Sequence, residues 1–267
     1  MEILIFFIFG LSVGSFLNTV IYRLSKKEDF VFGRSSCPLC KHVLSWQDLV
    51  PVFSFLFLKG KCRYCGKPIS WQYPLVELAT GFLFALVVSQ KIDLLLYYGL
   101  FGYLNICFLF IIFSLLIIIF AYDLKHYIIP DKVIYPAIAL AGIWHLIFPV
   151  FFKEFLEFGL INVYSAFAAA GFFLAVVVLS KGKGMGVGDV KMAFFMGLFL
   201  GFPEILVALF LSFFLGAVIG TILIAFYGKT LKSDIPFGPF LVVGTIIALF
   251  FSQDLIFFYL SVQNCLF

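Results

Sequence analysis

Apolar runs long enough to cross a lipid bilayer recur along most of this chain, and they limit its fold more than any other feature. A helix needs ~17–25 apolar residues to cross a ~30 Å hydrocarbon core. Apolar residues make up 64% of the chain and charged residues only 12%, about half the charge of a soluble domain. The sequence predicts an all-α polytopic membrane protein with about eight transmembrane helices, near 3–22, 75–90, 103–121, 133–150, 160–180, 190–201, 203–227 and 238–262.

The distribution of basic residues predicts the orientation of this bundle. Lys and Arg near membrane ends are retained on the cytoplasmic side. If the N-terminus lies outside, every Lys and Arg except Lys91 and Lys153 falls in a cytoplasmic segment. The first apolar run precedes its basic residues, the reverse of a signal peptide, so we expect it to stay attached. The net charge of +4 therefore reflects orientation, and no nucleic-acid binding is predicted.

Three regions follow from this layout. Residues 1–22 form the first transmembrane helix, residues 23–73 a small cytoplasmic domain with four cysteines, and residues 74–267 a transmembrane bundle. Three short loops share the cytoplasmic side with the small domain, at 122–132, 181–189 and 228–239. The cytoplasmic face is therefore where polar chemistry is expected.

Four cysteines in the small domain predict a structural zinc site. They are Cys37, Cys40, Cys62 and Cys65, in two Cys-x-x-Cys pairs typical of zinc ribbons and knuckles. A domain of this size has little core, so a metal would supply folding free energy. Two disulfides are the alternative, although they rarely persist in a reducing cytosol. His42 in place of Cys40 is a minor alternative, and four thiolates would leave no open position for catalysis.

Five carboxylates lie near the cytoplasmic ends of the predicted spans: Glu77, Asp123, Asp131, Asp189 and Asp234. Asp123 closes the third span and Asp189 opens the sixth after Gly184-Met-Gly-Val-Gly188, at the same depth. Two facing aspartates share one proton, so that one activates water while the other polarises a carbonyl. Two structural roles remain open: Asp189 caps a helix, or Asp123 pairs with Lys125 or Lys191.

Several blocks in a fixed order resemble the type IV prepilin peptidases, also called leader peptidase/N-methyltransferases, of the Gly-x-Gly-Asp class of membrane aspartic proteases. They are Gly14-Ser-Phe-Leu-Asn18, the four-cysteine domain, Ser70-Trp-Gln-Tyr-Pro-Leu-Val-Glu77, Asp123 to Asp131, Gly184 to Lys191 and Pro236-Phe-Gly-Pro239. The resemblance implies that Asp123 and Asp189 are the catalytic pair. It also implies a bacterial inner-membrane enzyme that cleaves the basic leader of prepilins or pseudopilins at the cytoplasmic face.

The same resemblance implies a second activity, methylation of the new N-terminal residue with S-adenosyl-L-methionine. The chain has no Rossmann-type glycine fingerprint for that cofactor. Gly60 and Lys61, beside Cys62, are weak candidates for contacts with it. The alternative is a leader peptidase without methyltransferase activity.

Other polar residues have structural interpretations of comparable weight. Asp131 orients the active loop or caps the next helix, and Glu77 pairs with a basic group or contacts substrate. His126 is expected at the interface and His145 in the core. Pro236-Phe-Gly-Pro239 is expected to border the substrate groove. The role of Asp234 and the oligomeric state do not follow from the sequence.

Three other classes of protein fit parts of the pattern. A transporter also uses paired carboxylates, but it predicts a repeated half and polar residues at mid-membrane, which are not visible. A zinc-dependent membrane protease predicts a His-Glu-x-x-His helix, which this sequence with its three histidines lacks. A non-catalytic assembly scaffold predicts that Asp123 and Asp189 tolerate replacement by asparagine.

Overall fold

The computed structural model describes residues 2–26, 33–151, 156–182, 184–227 and 235–266. For 92–98, 146–151, 156–158, 227 and 262–266 it describes the backbone only. The α-helices in these ranges are α1 Glu2–Lys26, α2 Phe53–Phe57, α3 Gln72–Tyr98, α4 Leu100–His126, α5 Asp131–Phe151, α6 Leu156–Leu179, α7 Val187–Leu200, α8 Glu204–Tyr227 and α9 Gly238–Leu266. Apart from two isolated β-bridges, regular structure in the described ranges is helical.

The predicted all-α membrane fold is confirmed, and the number of spans is approximate. Each predicted span coincides with one of the helices other than α2. Within the described residues, six helices are long and apolar enough to cross a membrane: Glu2–Lys26, Gln72–Lys91, Leu100–His126, Gly159–Leu179, Glu204–Phe226 and Gly238–Ser261. The fourteen residues of α7 extend only ~21 Å, less than the hydrocarbon core, because each helical residue rises 1.5 Å.

The chain divides into two compact units, Met1–Ala121 and Tyr122–Phe267. The predicted regions 1–22 and 23–73 both belong to the first unit, together with all of α3 and most of α4. The interpretation of residues 74–267 as one functional bundle stays a prediction.

In the first unit, α1 packs against α3 through small residues. A Cβ at Gly10 would lie 2.8 Å from the Gly81 Cα, and one at Gly14 would lie 2.7 Å from the Glu77 Cα. Helices approach this closely only where side chains are absent. The Asn18 Nδ2 donates to the Tyr73 carbonyl (3.0 Å) one turn further along. The Gly14 to Asn18 block therefore fixes α1 against the start of α3.

In the second unit, the short α7 contacts α5, α6, α8 and α9. Its residues Met192, Ala193, Phe195 and Met196 are completely buried. A Cβ at Gly197 would meet the α6 backbone at Ser165 and Ala166 (2.5–2.6 Å), so glycine permits the close approach of the two helices. A side chain at the start of α7 is thereby held by the packing of four other helices.

Candidate active site and metal centre

Asp123 lies in the last turn of α4 and is buried, with 3% of its surface exposed. Its carboxylate accepts a hydrogen bond from the backbone N–H of Gly238, the first residue of α9. A Cβ at Gly238 would overlap Asp123 Oδ2 and lie 3.1 Å from Asp123 Cγ. The absence of a side chain at position 238 therefore lets the α9 backbone approach this carboxylate.

Asp189 is the third residue of α7, and its Oδ2 accepts the N–H of Gly186 (3.0 Å). This is the reciprocal half of a helix-capping interaction, in which a carboxylate near the helix start satisfies a free backbone donor. Asp189 therefore has the capping role that its position suggested. The hydrogen bond from Gly186 occupies one carboxylate oxygen and orients the group.

Ile129 packs against the starts of both α7 and α9. A Cβ at Gly188 would lie 3.2 Å from Ile129 Cβ, and one at Gly238 would lie 3.4 Å from Ile129 Cδ1. The segment after α4 therefore packs on glycines of both the α7 and α9 starts. Asp123 and Asp189 interact electrostatically. That the two carboxylates share one proton stays a prediction.

The alternative in which Lys191 neutralises Asp123 is not what the structure shows. Lys191 Nζ lies 2.6 Å from Asp131 Oδ1 and 4.9 Å from the centre of the Tyr135 ring. Asp131 is the first residue of α5, so this ion pair ties the start of α5 to α7. The Lys125 side chain is exposed. The role of Asp131 in orienting the active loop stays a prediction.

Gly238 is the residue near the dyad that sequence reasoning did not single out. The Pro236 to Pro239 turn was expected to border a substrate groove, but the direct bond to Asp123 was not anticipated. Phe237 packs its ring against Phe173, Phe213 and Phe240, with centroids 5.2–6.3 Å away. This aromatic contact fixes the turn, and the glycine that follows meets Asp123. The only sequence signal was the glycine between two prolines.

The four cysteines of the small domain converge, as predicted. The sulfurs of Cys37, Cys40, Cys62 and Cys65 all lie within 4.8 Å of one another, and all four are free thiols. Tetrahedral zinc with Zn–S bonds of ~2.3 Å places its sulfurs ~3.8 Å apart. The cluster fits zinc, whereas the disulfide alternative is not observed.

Two hairpin turns of the same design present these sulfurs. The Cys37 N–H donates to the His42 carbonyl and the Cys62 N–H to the Lys67 carbonyl, both at 2.9 Å. An isolated bridge closes each turn, Ser36 to Val43 and Lys61 to Pro68. The fifth position of each has positive φ, Lys41 at 60° and Gly66 at 68°. The repeated turn is that of a zinc knuckle.

The electrostatics of the first turn favour a thiolate. Burial opposes ionisation of Cys37, but hydrogen bonds from the Cys40 and Leu39 backbone outweigh it and lower the pKa of Cys37 to about 7. Metal binding requires the deprotonated thiolate. The His42 ring packs against Tyr64 in a tilted arrangement with centroids 3.7 Å apart, and it is not among the four converging groups. His42 as a replacement ligand is therefore not supported.

Asp48 joins the turns to the rest of the small domain. It accepts hydrogen bonds from the Ser45 N–H (3.1 Å), the Ser45 hydroxyl (2.8 Å), the Arg63 Nε (2.8 Å) and the Tyr64 hydroxyl (3.1 Å). Burial opposes its ionisation, but the bonds from Ser45 and Tyr64 and the Arg63 charge outweigh it and lower the pKa of Asp48. The carboxylate thus anchors the second cysteine pair.

Gly60, a weak candidate for cofactor contacts, has a local structural role. Its φ is +68°, its N–H donates to the Phe55 carbonyl (2.8 Å), and a Cβ there would lie 3.2 Å from the Phe55 ring. The turn after α2 therefore requires glycine and is filled by Phe55. Lys61 is exposed beside it. These residues do not form an open cradle for a methyl donor.

Glu77 is buried (6% exposed) and bonds within the first unit. Its Oε2 accepts the Val52 N–H at 2.7 Å, and the carboxylate also accepts the Ser15 hydroxyl. Both partners are neutral, so Glu77 joins the small domain to α1 and α3. Of the remaining predicted residues, His145 Nδ1 bonds the Asn162 amide (3.0 Å), the His126 ring packs on Tyr122, and Asp234 lies outside the described residues.

Comparison with known proteins identifies the family. Residues 8–91 match the bacterial peptidase A24 N-terminal domain, and residues 110–221 match the type IV leader peptidase family. Proteins named prepilin leader peptidase/N-methyltransferase are similar over most of the chain. That of Bacillus subtilis is 34% identical over 96% of this chain and 97% of its own length. That of Xanthomonas campestris is 32% identical over 92% and 90%.

The match extends to other bacteria. The protein of the same name from Legionella pneumophila is 30% identical over 95% of this chain and 93% of its own length. No solved structure matches. Since the similarity covers both units and nearly the full length of these relatives, this chain belongs to the type IV leader peptidase family.

Proposed function

We propose that this protein is a bifunctional enzyme of the bacterial inner membrane. It cleaves the basic leader from type IV prepilins or pseudopilins and methylates the new N-terminal residue. The relatives carry both activities in their name. The observation that carries the peptidase half is the juxtaposition of buried Asp123 with Asp189, each held by a glycine N–H.

The dyad supports hydrolysis without a metal or a nucleophilic side chain. The ionised aspartate takes a proton from water as the water oxygen attacks the scissile carbonyl. The protonated aspartate donates its proton to the carbonyl oxygen, which gives a tetrahedral intermediate with two hydroxyl groups. The C–N bond then breaks as the amine takes the proton that came from water, and one hydroxyl group of the intermediate returns its proton to the dyad. The Gly238 and Gly186 N–H groups each hold one carboxylate, so the pair is oriented before substrate arrives.

The location of this chemistry agrees with the nature of the substrate. With the N-terminus outside, the basic loops and both aspartates lie on the cytoplasmic side. A basic leader is retained in the cytoplasm while the apolar helix that follows lies in the bilayer. The scissile bond is then at the inner interface. The end of α4 and the start of α7 supply Asp123 and Asp189 at that level.

Zinc has a structural role in this proposal. Cys37, Cys40, Cys62 and Cys65 would hold it, and a four-thiolate site leaves no position for reactive water. Bound zinc would supply folding free energy to the small cytoplasmic domain. We assign that domain, residues 23–73, to the support of methyl transfer from S-adenosyl-L-methionine. A leader peptidase without methyltransferase activity is the alternative.

The test uses purified protein in detergent with a prepilin and S-adenosyl-L-methionine, read by mass spectrometry of the pilin N-terminus. We expect Asp123→Asn and Asp189→Asn each to abolish cleavage. Asp254→Asn is the matched control, because this exposed carboxylate lies sixteen residues along α9 from Gly238, ~24 Å away. Cleavage at the wild-type rate by either dyad variant would reject the assignment and favour a scaffold or transporter.

A Cys62→Ser variant separates the two activities. We expect it to cleave the leader without methylating the product. If it methylates normally, the small domain does not support methyl transfer. If wild-type protein cleaves but adds no methyl group, the peptidase-only alternative is correct.

A further inference from the structure

The small domain exposes a cluster of large apolar side chains that a soluble domain would bury. Phe53, Leu56 and Phe57 of α2 are 57%, 61% and 83% exposed. Their spacing, i, i+3 and i+4, puts them on one face of this short helix. Trp46 and Trp71 nearby in the chain are 75% and 69% exposed. The question is what covers this surface.

Trp71 fixes the position of α2 relative to the membrane. It directly precedes α3, in which the stretch Gln72–Lys91 is long and apolar enough to cross a membrane. Trp71 therefore lies at the bilayer surface, where tryptophan is enriched. The Phe55 ring, on the opposite face of α2, packs against Trp71 with centroids 5.0 Å apart. The helix α2 thus lies beside the start of α3.

A buried hydrogen bond fixes the other end of α2 at the same level. Val52, which precedes α2, has φ 61° and ψ −49°, and the Phe53 N–H donates to the Pro51 carbonyl (2.6 Å). This is a γ-turn of the rare, strained type, here on a β-branched residue. The Val52 N–H donates to Glu77, five residues and ~7.5 Å along α3 from Gln72. The chain enters α2 at a depth reached by the first turns of a membrane-spanning helix.

We propose that Phe53, Leu56 and Phe57 form an interfacial anchor that inserts into the headgroup and upper acyl region of the bilayer crossed by α3. The occupant of the surface is lipid, because its depth is set by Trp71 and Glu77 and its exposed face is apolar. The exposed Lys59 and Lys61 follow directly and suit anionic headgroups. The four-cysteine domain is thereby held against the membrane surface, where a substrate with a membrane helix presents its N-terminus.

The experiment places one tryptophan on the proposed anchor in the full-length protein. Trp46, Trp71 and Trp144 are replaced by Phe, and Phe57→Trp is added. The protein is reconstituted in nanodiscs of phosphatidylcholine and phosphatidylglycerol, with or without bromine on the upper acyl chains. Leu75→Trp on α3, 61% exposed in the first turn of a span, is the lipid-facing reference. Lys67→Trp, at an exposed lysine of the same domain, is the water-facing reference.

We expect brominated lipid to quench the Phe57→Trp fluorescence to at least half the extent seen for Leu75→Trp, and iodide to quench it less than Lys67→Trp. Leu56→Trp, on the same face, repeats the measurement if the first variant does not fold, and zinc content checks folding. Quenching by iodide as strong as at position 67 would place the surface in water and overturn the proposal. Quenching by neither agent would show that protein covers it, which also overturns it.

Discussion

Replacing Gly238 by alanine should strongly reduce cleavage while leaving the protein folded. The new methyl group would overlap Asp123 Oδ2 and lie 3.1 Å from Asp123 Cγ, where ordinary contacts begin at 3.4 Å. Ile129 Cδ1 stands 3.4 Å from the same methyl position, so the methyl group has little room to shift. The carboxylate must retreat by several tenths of an ångström to about 1 Å.

The magnitude follows from this displacement. A misplacement of about 1 Å in a catalytic group costs on the order of 10²-fold in rate. That corresponds to about 2.7 kcal/mol of transition-state stabilisation. Overpacking of the buried contact would cost about 1–3 kcal/mol of folding stability. We therefore expect a large loss of turnover from a protein that still inserts and purifies.

The assay compares leader cleavage by equal amounts of purified wild type, Gly238→Ala and Gly171→Ala. Gly171 is the matched control, because it lies in α6 and a Cβ there meets nothing within 4 Å. Alanine at that helical position should be neutral or stabilising by up to ~1 kcal/mol. If Gly238→Ala cleaves within about threefold of wild type, contact between α9 and Asp123 does not set the geometry of the reaction.

Three further results are expected. Cys62→Ser, or chelation of the wild type, should remove the bound zinc, as measured by elemental analysis. It should also make the small domain sensitive to protease, because a four-thiolate zinc site supplies folding free energy. An unchanged metal content would contradict the site. Asp48→Asn should destabilise the small domain at pH 7 by about 1–3 kcal/mol, since it weakens bonds to a buried carboxylate. Because the folded pKa of Asp48 is lowered, its stabilisation is present above the ordinary value of 3.8 and lost as pH falls below it. The difference between wild type and variant in hydrogen exchange should therefore shrink in acid, and a constant difference would refute the assignment. Asp131→Asn and Lys191→Met should each slow cleavage by less than about tenfold, because the Asp131 side chain is 61% exposed and such ion pairs contribute ~0–1 kcal/mol. A larger loss of cleavage rate would instead show that this ion pair positions the active loop.

The class of fold and the metal cluster were predictable because their signals are local. A membrane span is a property of a continuous run of residues, since every backbone group in lipid bonds within its own helix. The paired cysteines likewise carry their own turn geometry, and Gly66 marks the left-handed position in the second turn. The sequence also limited the acidic candidates to a few carboxylates at one membrane face. Resemblance to the leader peptidases then selected Asp123 and Asp189 as the proposed pair.

Packing between distant segments decided the rest. Gly238 is separated from Asp123 by more than a hundred residues, and only the approach of α9 to the end of α4 reveals its N–H as a partner. Glu77 was expected to pair with a basic group or a substrate, but folding gives it the Val52 N–H and the Ser15 hydroxyl. A strained turn at Val52 has no sequence signature, because its φ is imposed by tertiary contacts. Local composition thus determines which segments enter the membrane, whereas the pairing of polar groups depends on where helix packing brings them.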